Sequence, residues 1–201
     1  PLTNRPESVI GHWLTQFSSM PDLVDFDRDG NNDWHFGDAP GDTVANGIWT
    51  CTAGNELHLS SVPTMTTLTT IEWRCRHLAS SGDGAILNVD ADWANGEFAD
   101  LKVRVVHQAD NWQSVLLTAH DGVSESVLSK LEGLPDEFLD LRLVVDPQSD
   151  VAMLFVNGYS LGGVTYPTRS QVQSTPTLFI TNNGADAEFD MLSVTISEAL
   201  P

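Results

Sequence analysis

Short segments in which apolar and polar residues alternate, separated by turn dipeptides, dominate this chain of 201 residues. In FLDLRLVVD, for example, every second side chain from Leu139 to Val145 is apolar, whereas Asp140 and Arg142 fall between them. A period of two is that of a β-strand with one buried face. Ten or so such segments, separated by pairs such as Asn-Gly and Asp-Gly, predict antiparallel strands joined by tight turns. The predicted fold class is therefore all-β, a two-sheet antiparallel β-sandwich.

The beginning of the chain departs from this alternation. Apolar residues recur there at helical spacing, namely Val9, Ile10, Trp13, Leu14 and Phe17. This spacing predicts a short N-terminal helix, although Gly11 weakens it. No linker or repeat divides the chain, so we expect a single sandwich domain over 1–201 with residues 1–24 packed on it. Within it, we expect the strand at 151–156 to be central and the closing strand near 189–197 to pair close to the N-terminal part.

The charge of the chain excludes several classes of partner. There are 28 acidic residues against 9 basic ones, which gives a formal net charge of −19. Such a field repels nucleic acid and anionic membranes and attracts cations. No apolar run reaches the ~18 residues of a membrane span, so we expect no membrane insertion. The chain opens on PLTNRPESV, without an initiator Met or a signal peptide, and we expect a processed protein that is secreted or at the cell surface.

The chain has two cysteines, Cys51 and Cys75. Cys51 shares a strand face with Trp49, and Cys75 shares one with Trp73. Both thiols are therefore predicted to point inward, on neighbouring strands. A disulfide and two buried free thiols both fit this pattern.

An acidic loop, DFDRDGNND, carries the spacing of a calcium-binding loop. Its candidate ligands are Asp25, Asp27, Asp29, Asn31 and Asp33, with Gly30 at the sharp turn. Alternate oxygens in a tight loop converge on one point, and Asn31 would offer its backbone carbonyl. The loop resembles those of integrin α-chain blades and thrombospondin type 3 repeats, but Phe36 stands where an EF-hand has its bidentate Glu. The alternative is an acidic surface turn. Four carboxylates in nine residues favour a structural Ca²⁺.

Five of the nine basic residues fall on the polar faces of three predicted strands. With one acid, they form the candidate ligand-binding set: Glu72, Arg74, Arg76, Lys102, Arg104 and Arg142. Each strand also carries an acid two residues before its first base. One interpretation, which we favour, is a cross-strand ladder of ion pairs. The other is a concave face that binds a glycan, for instance an acidic one, through bidentate Arg contacts.

The hairpin LRLVVDPQSDVAMLFVNG and the closing segment EFDMLSVTIS resemble the concanavalin A-like jelly rolls, which include the laminin G-like domains. The resemblance covers roughly residues 45 to 197. It implies a jelly-roll sandwich, and members of that superfamily bind glycans or proteins, cleave or lyse polysaccharides, or connect other domains.

Catalytic signatures of this superfamily are weak in the sequence. The E-x-D-x-x-E string of jelly-roll glucanases is absent, and IEWRCR only loosely echoes the Arg-rich strand of alginate lyases. Aromatic residues that could stack on sugars lie in or beside predicted turns, namely Trp34, Trp93, Trp112, Tyr159 and Tyr166. We therefore expect a non-catalytic extracellular module that binds a glycan or an extracellular protein. The alternatives are a polysaccharide hydrolase or lyase, and a structural or adhesive domain of a larger surface protein.

Overall fold

The structure, a computed structural model, describes residues 9–15, 34–36, 43–51, 56–59, 67–78, 81, 84, 86–94, 98–108, 112–167, 177–183 and 186–197. Every regular element in these ranges is a β-strand, as the alternation predicts. In chain order the strands are β1 (Val9–Thr15), β2 (Trp34–Phe36), β3 (Thr43–Ala45), β4 (Ile48–Cys51), β5 (Glu56–Leu59), β6 (Thr69–His77), β7 (Ile86–Ala94), β8 (Phe98–Gln108), β9 (Trp112–His120), β10 (Glu125–Pro135), β11 (Leu139–Asp146), β12 (Val151–Val156), β13 (Tyr159–Thr165), β14 (Thr177–Asn183) and β15 (Ala187–Ser197).

These strands form two antiparallel sheets. Sheet A has the order β13-β12-β11-β6-β15-β4-β3, with β1 also paired to β15. Sheet B has the order β10-β9-β8-β7-β14-β5-β2. The chain leaves sheet A after β6, builds four neighbouring strands of sheet B with β7 to β10, and returns to sheet A at β11. No helix long and apolar enough to cross a membrane occurs in the ranges described above.

The alternation of each sequence segment is reproduced as alternating burial. On β6 the residues Ile71, Trp73 and Cys75 are buried and their neighbours are partly exposed. β11 repeats the pattern with four of its five apolar residues inward, and β15 buries Leu192, Val194 and Ile196. Inward side chains of both sheets form one hydrophobic cluster. The core therefore lies between the sheets, and the charged residues of β6, β8 and β11 project from their outer surfaces.

The predicted short N-terminal helix is wrong, because Val9–Thr15 forms strand β1. This strand pairs antiparallel with β15, with Trp13 opposite Val194. Gly11 disfavours a helix, and the β-branched residues Val9 and Ile10 favour a strand. The pairing with β15 supplies the backbone hydrogen bonds of this strand, and the spacing of apolar residues in the sequence carries no information about that pairing. The expected pairing of the closing strand with the N-terminal part is confirmed.

The prediction that the strand at 151–156 is central is also wrong. β12 lies next to last in sheet A, with only β13 outside it, and the middle of the sheet is β6 between β11 and β15. The apolar residues on its outer face had suggested burial on both sides. One of them, Phe155, instead lies beneath the guanidinium of Arg142, with the Arg142 Cζ 3.9 Å from the ring centroid.

The two cysteines are buried and free, so the inward orientation is confirmed. They do not lie on neighbouring strands, because β15 is inserted between β4 and β6. Strands two positions apart are separated by about 9.5 Å, which exceeds the ~7 Å limit for the Cα atoms of a disulfide. Burial raises the pKa of the Cys75 thiol, which makes it unreactive in the folded protein.

Candidate functional site

The predicted basic residues project outward as expected, but they lie on two different sheets. β6 and β11 are neighbours in sheet A, whereas β8 belongs to sheet B. Arg74, Arg76 and Arg142 therefore lie on the outer surface of sheet A, and Lys102 and Arg104 lie on that of sheet B. The prediction of one continuous face over the three strands is wrong. The sequence does not reveal that the chain crosses to sheet B between β6 and β11.

On sheet A, two arginines are held by carboxylates of the flanking strands. The Arg74 Nη1 atom lies 2.5 Å from Asp190 Oδ2, and its Nε lies 3.3 Å from Asp140 Oδ1. The Arg76 Nε atom donates to Glu188 Oε2 over 2.7 Å. Both guanidinium groups also lie over the ring of Phe138, at 4.7 and 4.6 Å from its centroid. We call these residues the paired cluster; the pair of Arg74 with Asp140 joins two of the predicted strands, whereas the pairs with Asp190 and Glu188 join β6 to β15.

Sheet B has a similar pair on its outer surface. The Arg104 Nη2 atom lies 2.7 Å from Glu125 Oε2, and Thr118 donates a hydrogen bond to the other oxygen of Glu125. The buried Nε atom of Arg104 has no hydrogen-bond partner. Lys102 also has an interaction partner. The ion pair of Arg104 thus agrees with the ladder interpretation.

Arg142 differs from the other arginines of the set. Among the described residues it has no carboxylate within ion-pairing distance, and its guanidinium lies over Phe155 instead. The backbone places it directly opposite Glu72 on β6 and Phe155 on β12. Glu72 likewise has no hydrogen-bond or ion-pair partner in the part of the chain that the structure describes. The guanidinium of Arg142 and the carboxylate of Glu72, neither of which has an ion-pair partner among the described residues, therefore lie opposite each other on neighbouring strands.

A groove of about 300 Å³ lies at this point on the surface of sheet A. Glu72, Asp140, Arg142 and Phe155 contribute to its walls, together with Gly158 and Met191. Gly158 has a φ of +81°, and a Cβ added there would meet no atom of the described residues within 4 Å. We call this the sheet A groove. It brings together two of the six predicted binding residues, Glu72 and Arg142.

The candidate stacking aromatics are divided by their exposure. Tyr159 is 77% exposed but pairs with the buried Val156 and is not among the residues that line the groove, and Trp112 on β9 is 46% exposed. Tyr166 is buried, and burial raises the pKa of its hydroxyl, so it cannot stack on a ligand. Trp34 and Trp93 lie on β2 and β7, where side chains fall outside the description.

A buried polar cluster, formed by His77, Ser81, His107, Gln113 and Asp136, occupies one end of the space between the sheets. The His77 Nε2 atom lies 2.9 Å from the carbonyl oxygen of Val105, which links sheet A to sheet B. The His107 Nε2 atom lies 3.8 Å from Asp136 Oδ2. This cluster could not be recognised in the sequence, since isolated histidines at the ends of strands carry no recognisable spacing.

Two of these groups have few or no hydrogen bonds. Both ring nitrogens of His107 and the Oδ1 atom of Asp136 have no hydrogen-bond partner. Burial lowers the pKa of His77, the hydrogen bond to Val105 raises it, and the charges of His107 and Asp136 act in opposite directions. Among the described residues no group of three or more His, Cys, Asp or Glu side chains could hold a metal ion.

The predicted calcium loop, with Asp25, Asp27, Asp29, Asn31 and Asp33, lies outside the described residues. The structure therefore gives no geometry for it, and the calcium assignment stays a prediction.

Solved structures with the same fold were found, whereas no protein-family model and no curated protein matches the sequence. The carbohydrate recognition domain of Emp46p in its metal-free form aligns with a TM-score of 0.58 and 16% identity over 90% of this chain and 97% of its own. The CBM2 module of the evolved Dit of Lactobacillus casei BL23 phage J-1 aligns with a TM-score of 0.61 and 11% identity, over 97% and 98%.

The GH43 protein BlXynB of Bacillus licheniformis, as its K247S mutant, aligns with a TM-score of 0.64 and 13% identity over 91% of this chain but only 39% of its own. A potassium-bound form of the Emp46p domain matches as well. At these identities the likeness establishes the fold alone, which is the concanavalin A-like jelly roll that the sequence resembles. This fold occurs in carbohydrate recognition domains and carbohydrate-binding modules.

Proposed function

We propose that this chain is a non-catalytic carbohydrate-binding module and that its ligand lies in the sheet A groove. The observation that carries the proposal is the guanidinium of Arg142, which is held over Phe155 at 3.9 Å and has no carboxylate partner among the described residues. The other described arginines of the set are ion-paired. A guanidinium that faces solvent keeps its hydrogen-bond donors hydrated and available at little energetic cost. It can therefore exchange water for the oxygens of a ligand.

Pre-organisation of Arg142 supports binding rather than a purely structural role. A guanidinium fixed over an aromatic ring by a cation–π contact has lost much of its rotamer freedom before a ligand arrives. The groove also provides Glu72 as an acceptor, and the ring of Phe155 lines it. Donors, acceptors and an aromatic ring are the groups by which proteins hold sugars.

The proposal includes three parts for which the sequence is the support. The acidic loop of residues 25–33 binds a structural Ca²⁺ through its alternating carboxylates. The strongly acidic composition is suited to an exported protein, secreted or at the cell surface. The chain forms one domain over 1–201 with residues 1–24 packed on the sandwich, a proposal supported by the pairing of Val9–Thr15 with β15.

The test compares Arg142→Ala with Arg76→Ala on a glycan array, followed by calorimetric titration of the glycans that bind. Both variants remove one guanidinium from the outer surface of sheet A, and both guanidiniums lie over a phenylalanine ring. Loss of a charged hydrogen-bond donor at the site should weaken binding by roughly 10- to 100-fold. Arg76→Ala should bind as the unmodified protein does. Equal effects of the two variants, or an array without a bound glycan, would contradict the proposal.

The calcium part has its own test. A ligand that binds only the folded state stabilises it, so chelation of a site that is saturated ~100-fold should remove about 2.7 kcal/mol. For a chain of this length the loss corresponds to a fall of roughly 5 to 10 °C in Tm. Asp29→Asn should lower the Tm and make it insensitive to chelator. An unchanged Tm of the calcium-loaded protein in chelator would overturn this part and leave the glycan site untouched.

A further inference from the structure

The sheet A groove presents one group that only donates hydrogen bonds and one that only accepts them. Arg142 on β11 and Glu72 on β6 are direct partners in the antiparallel register. Side chains that face each other in this way have Cβ atoms about 5 Å apart. The guanidinium has donors and no acceptor, and the carboxylate has acceptors and no donor.

These two side chains are close enough to form an ion pair, yet Arg142 contacts Phe155 on the opposite strand. The neighbouring arginines behave differently, since Arg74 and Arg76 do bind carboxylates of flanking strands. The cation–π contact therefore holds Arg142 away from Glu72. A space remains between an oriented donor and an oriented acceptor at the surface.

We infer that the sheet A groove selects a neutral sugar, two adjacent hydroxyl groups of which bridge Arg142 and Glu72. A hydroxyl donates one hydrogen bond and accepts others, so one can accept from Arg142 while its neighbour donates to Glu72. This inference rests on the proposed function and assigns its ligand class. The groove volume of about 300 Å³ is at the lower end for ligand sites and suits about one sugar ring.

The charges around the groove oppose an acidic glycan. Glu72 and Asp140 both line it, whereas Arg142 is the basic residue of its lining. Asp140 is also shared with Arg74, which in turn binds Asp190. A uronate carboxylate has no proton to donate to Glu72 and would be repelled by it, in a protein whose net charge is −19. The interpretation of the basic residues as an acidic-glycan site is therefore not supported at this groove.

A cationic amino sugar fits the groove poorly for the opposite reason. Its ammonium group would bind Glu72 but would have no acceptor to offer Arg142, whose charge it would repel. Binding of such a sugar would increase when Arg142 is removed. A neutral sugar is the class that uses both groups, so its binding must decrease when either one is lost.

The experiment compares pairs of β-1,4-linked tetrasaccharides whose members differ in one functional group on each sugar ring. Cellotetraose is compared with tetraglucuronate and with the glucosamine tetramer, and mannotetraose is compared with tetramannuronate, all by calorimetric titration of the full chain. Any neutral glycan bound on the array is compared in the same way with its uronate form. We expect each neutral sugar that binds to exceed its uronate counterpart at least about tenfold, as ~1.4 kcal/mol of differential interaction gives.

Glu72→Gln provides the decisive variant, because it removes the charge and adds a donor at the same position. The affinity for neutral sugars should fall a few-fold, while the affinity for uronates should rise. The ratio of neutral-sugar to uronate affinity should therefore decrease or invert. Arg142→Lys, which keeps the charge but loses the planar fork, should weaken neutral-sugar binding about tenfold or more.

The outcomes separate the two proposals. A wild-type preference for uronates that depends on Arg142 overturns this inference and leaves the proposed function standing. A preference for the glucosamine tetramer that survives Arg142→Ala also overturns it. Glycan binding that neither Arg142 nor Glu72 affects overturns both proposals for this groove, as does the absence of any glycan binding.

Discussion

Ionisable side chains occur both on the outer surface of sheet A and in the space between the sheets. Those on the surface are exposed to water and ion-paired, whereas those between the sheets are buried and have few partners. On the surface, Arg74 binds two carboxylates and Arg76 binds one, and their side chains are 43% and 39% exposed. Between the sheets, His107 and Asp136 are 8% and 9% exposed and have few partners. Burial, rather than the number of ion pairs, should decide how strongly each group affects stability, because water screens charges at the surface and not inside.

The largest expected effect lies between the sheets, at His77. His77→Ala would remove the hydrogen bond from its Nε2 to the carbonyl oxygen of Val105, which joins the two sheets, and would open a cavity. We expect a loss of about 2 to 4 kcal/mol in the free energy of unfolding, measured by urea denaturation. A loss below about 1 kcal/mol would mean that the two sheets do not depend on this contact.

The pH dependence of the free energy of unfolding reports on the ionisation of His77. Because burial lowers the pKa of His77 in the folded state, the unfolded state binds the proton more tightly. The stability associated with neutral His77 is complete above the ordinary His pKa of ~6.5 and is lost as the pH falls below it. His77→Gln, which retains a donor for Val105, should flatten this part of the pH profile. Identical profiles of Tm against pH for the two proteins would contradict the assignment.

The paired cluster should give a smaller effect. A double-mutant cycle with Arg76→Ala and Glu188→Ala should yield a coupling energy of about 0.2 to 1 kcal/mol. This energy should decrease in 1 M salt, where the screening length is ~3 Å. A coupling well above this range, or one that salt does not change, would show that the surface pair is effectively buried.

The smallest effect is expected at Arg142, whose guanidinium has no carboxylate partner in the part of the chain that the structure describes. Arg142→Ala should change the free energy of unfolding by less than about 0.5 kcal/mol, as is usual for exposed positions. Together with the predicted loss of glycan binding, this would separate the residue that binds ligand from those that support the sheet. A stability loss above about 1 kcal/mol would instead assign Arg142 to the scaffold.

The alternation in the sequence was sufficient to predict which side chains point inward, because the period of two operates within each strand. Leu139, Trp73 and Val194 all follow it. It could not predict which strands are neighbours, since pairing depends on distant parts of the chain. For this reason β6 and β8 were expected on one surface, and the insertion of β15 between Cys51 and Cys75 was missed.

The candidate site was predictable in its residue types and not in its geometry. Glu72 and Arg142 were identified because each is a charged residue between two apolar residues of an alternating segment, which places it on the polar face of the strand. That Arg142 lies over Phe155 while Arg74 binds Asp190 depends on the neighbours that each strand acquires in the sheet. Phe155 was interpreted as core for the same reason. The buried cluster around His107 depends on the contact of two sheets, which no local spacing encodes.

The position of β15 has a consequence for synthesis on the ribosome. This strand comprises residues Ala187–Ser197, yet it pairs with β6 on one side and with β1 and β4 on the other. Sheet A therefore cannot close until the ribosome has released residue 197, and the buried face of β6 must wait for more than half of the chain to be translated. At about 5 to 20 residues per second, β6 lacks its central partner for roughly 6 to 25 s. During that interval the nascent chain exposes Ile71 and Trp73 beside an unpaired strand edge, which a holdase chaperone would bind. Slow codons before residue 187 would lengthen the interval and with it the risk of aggregation.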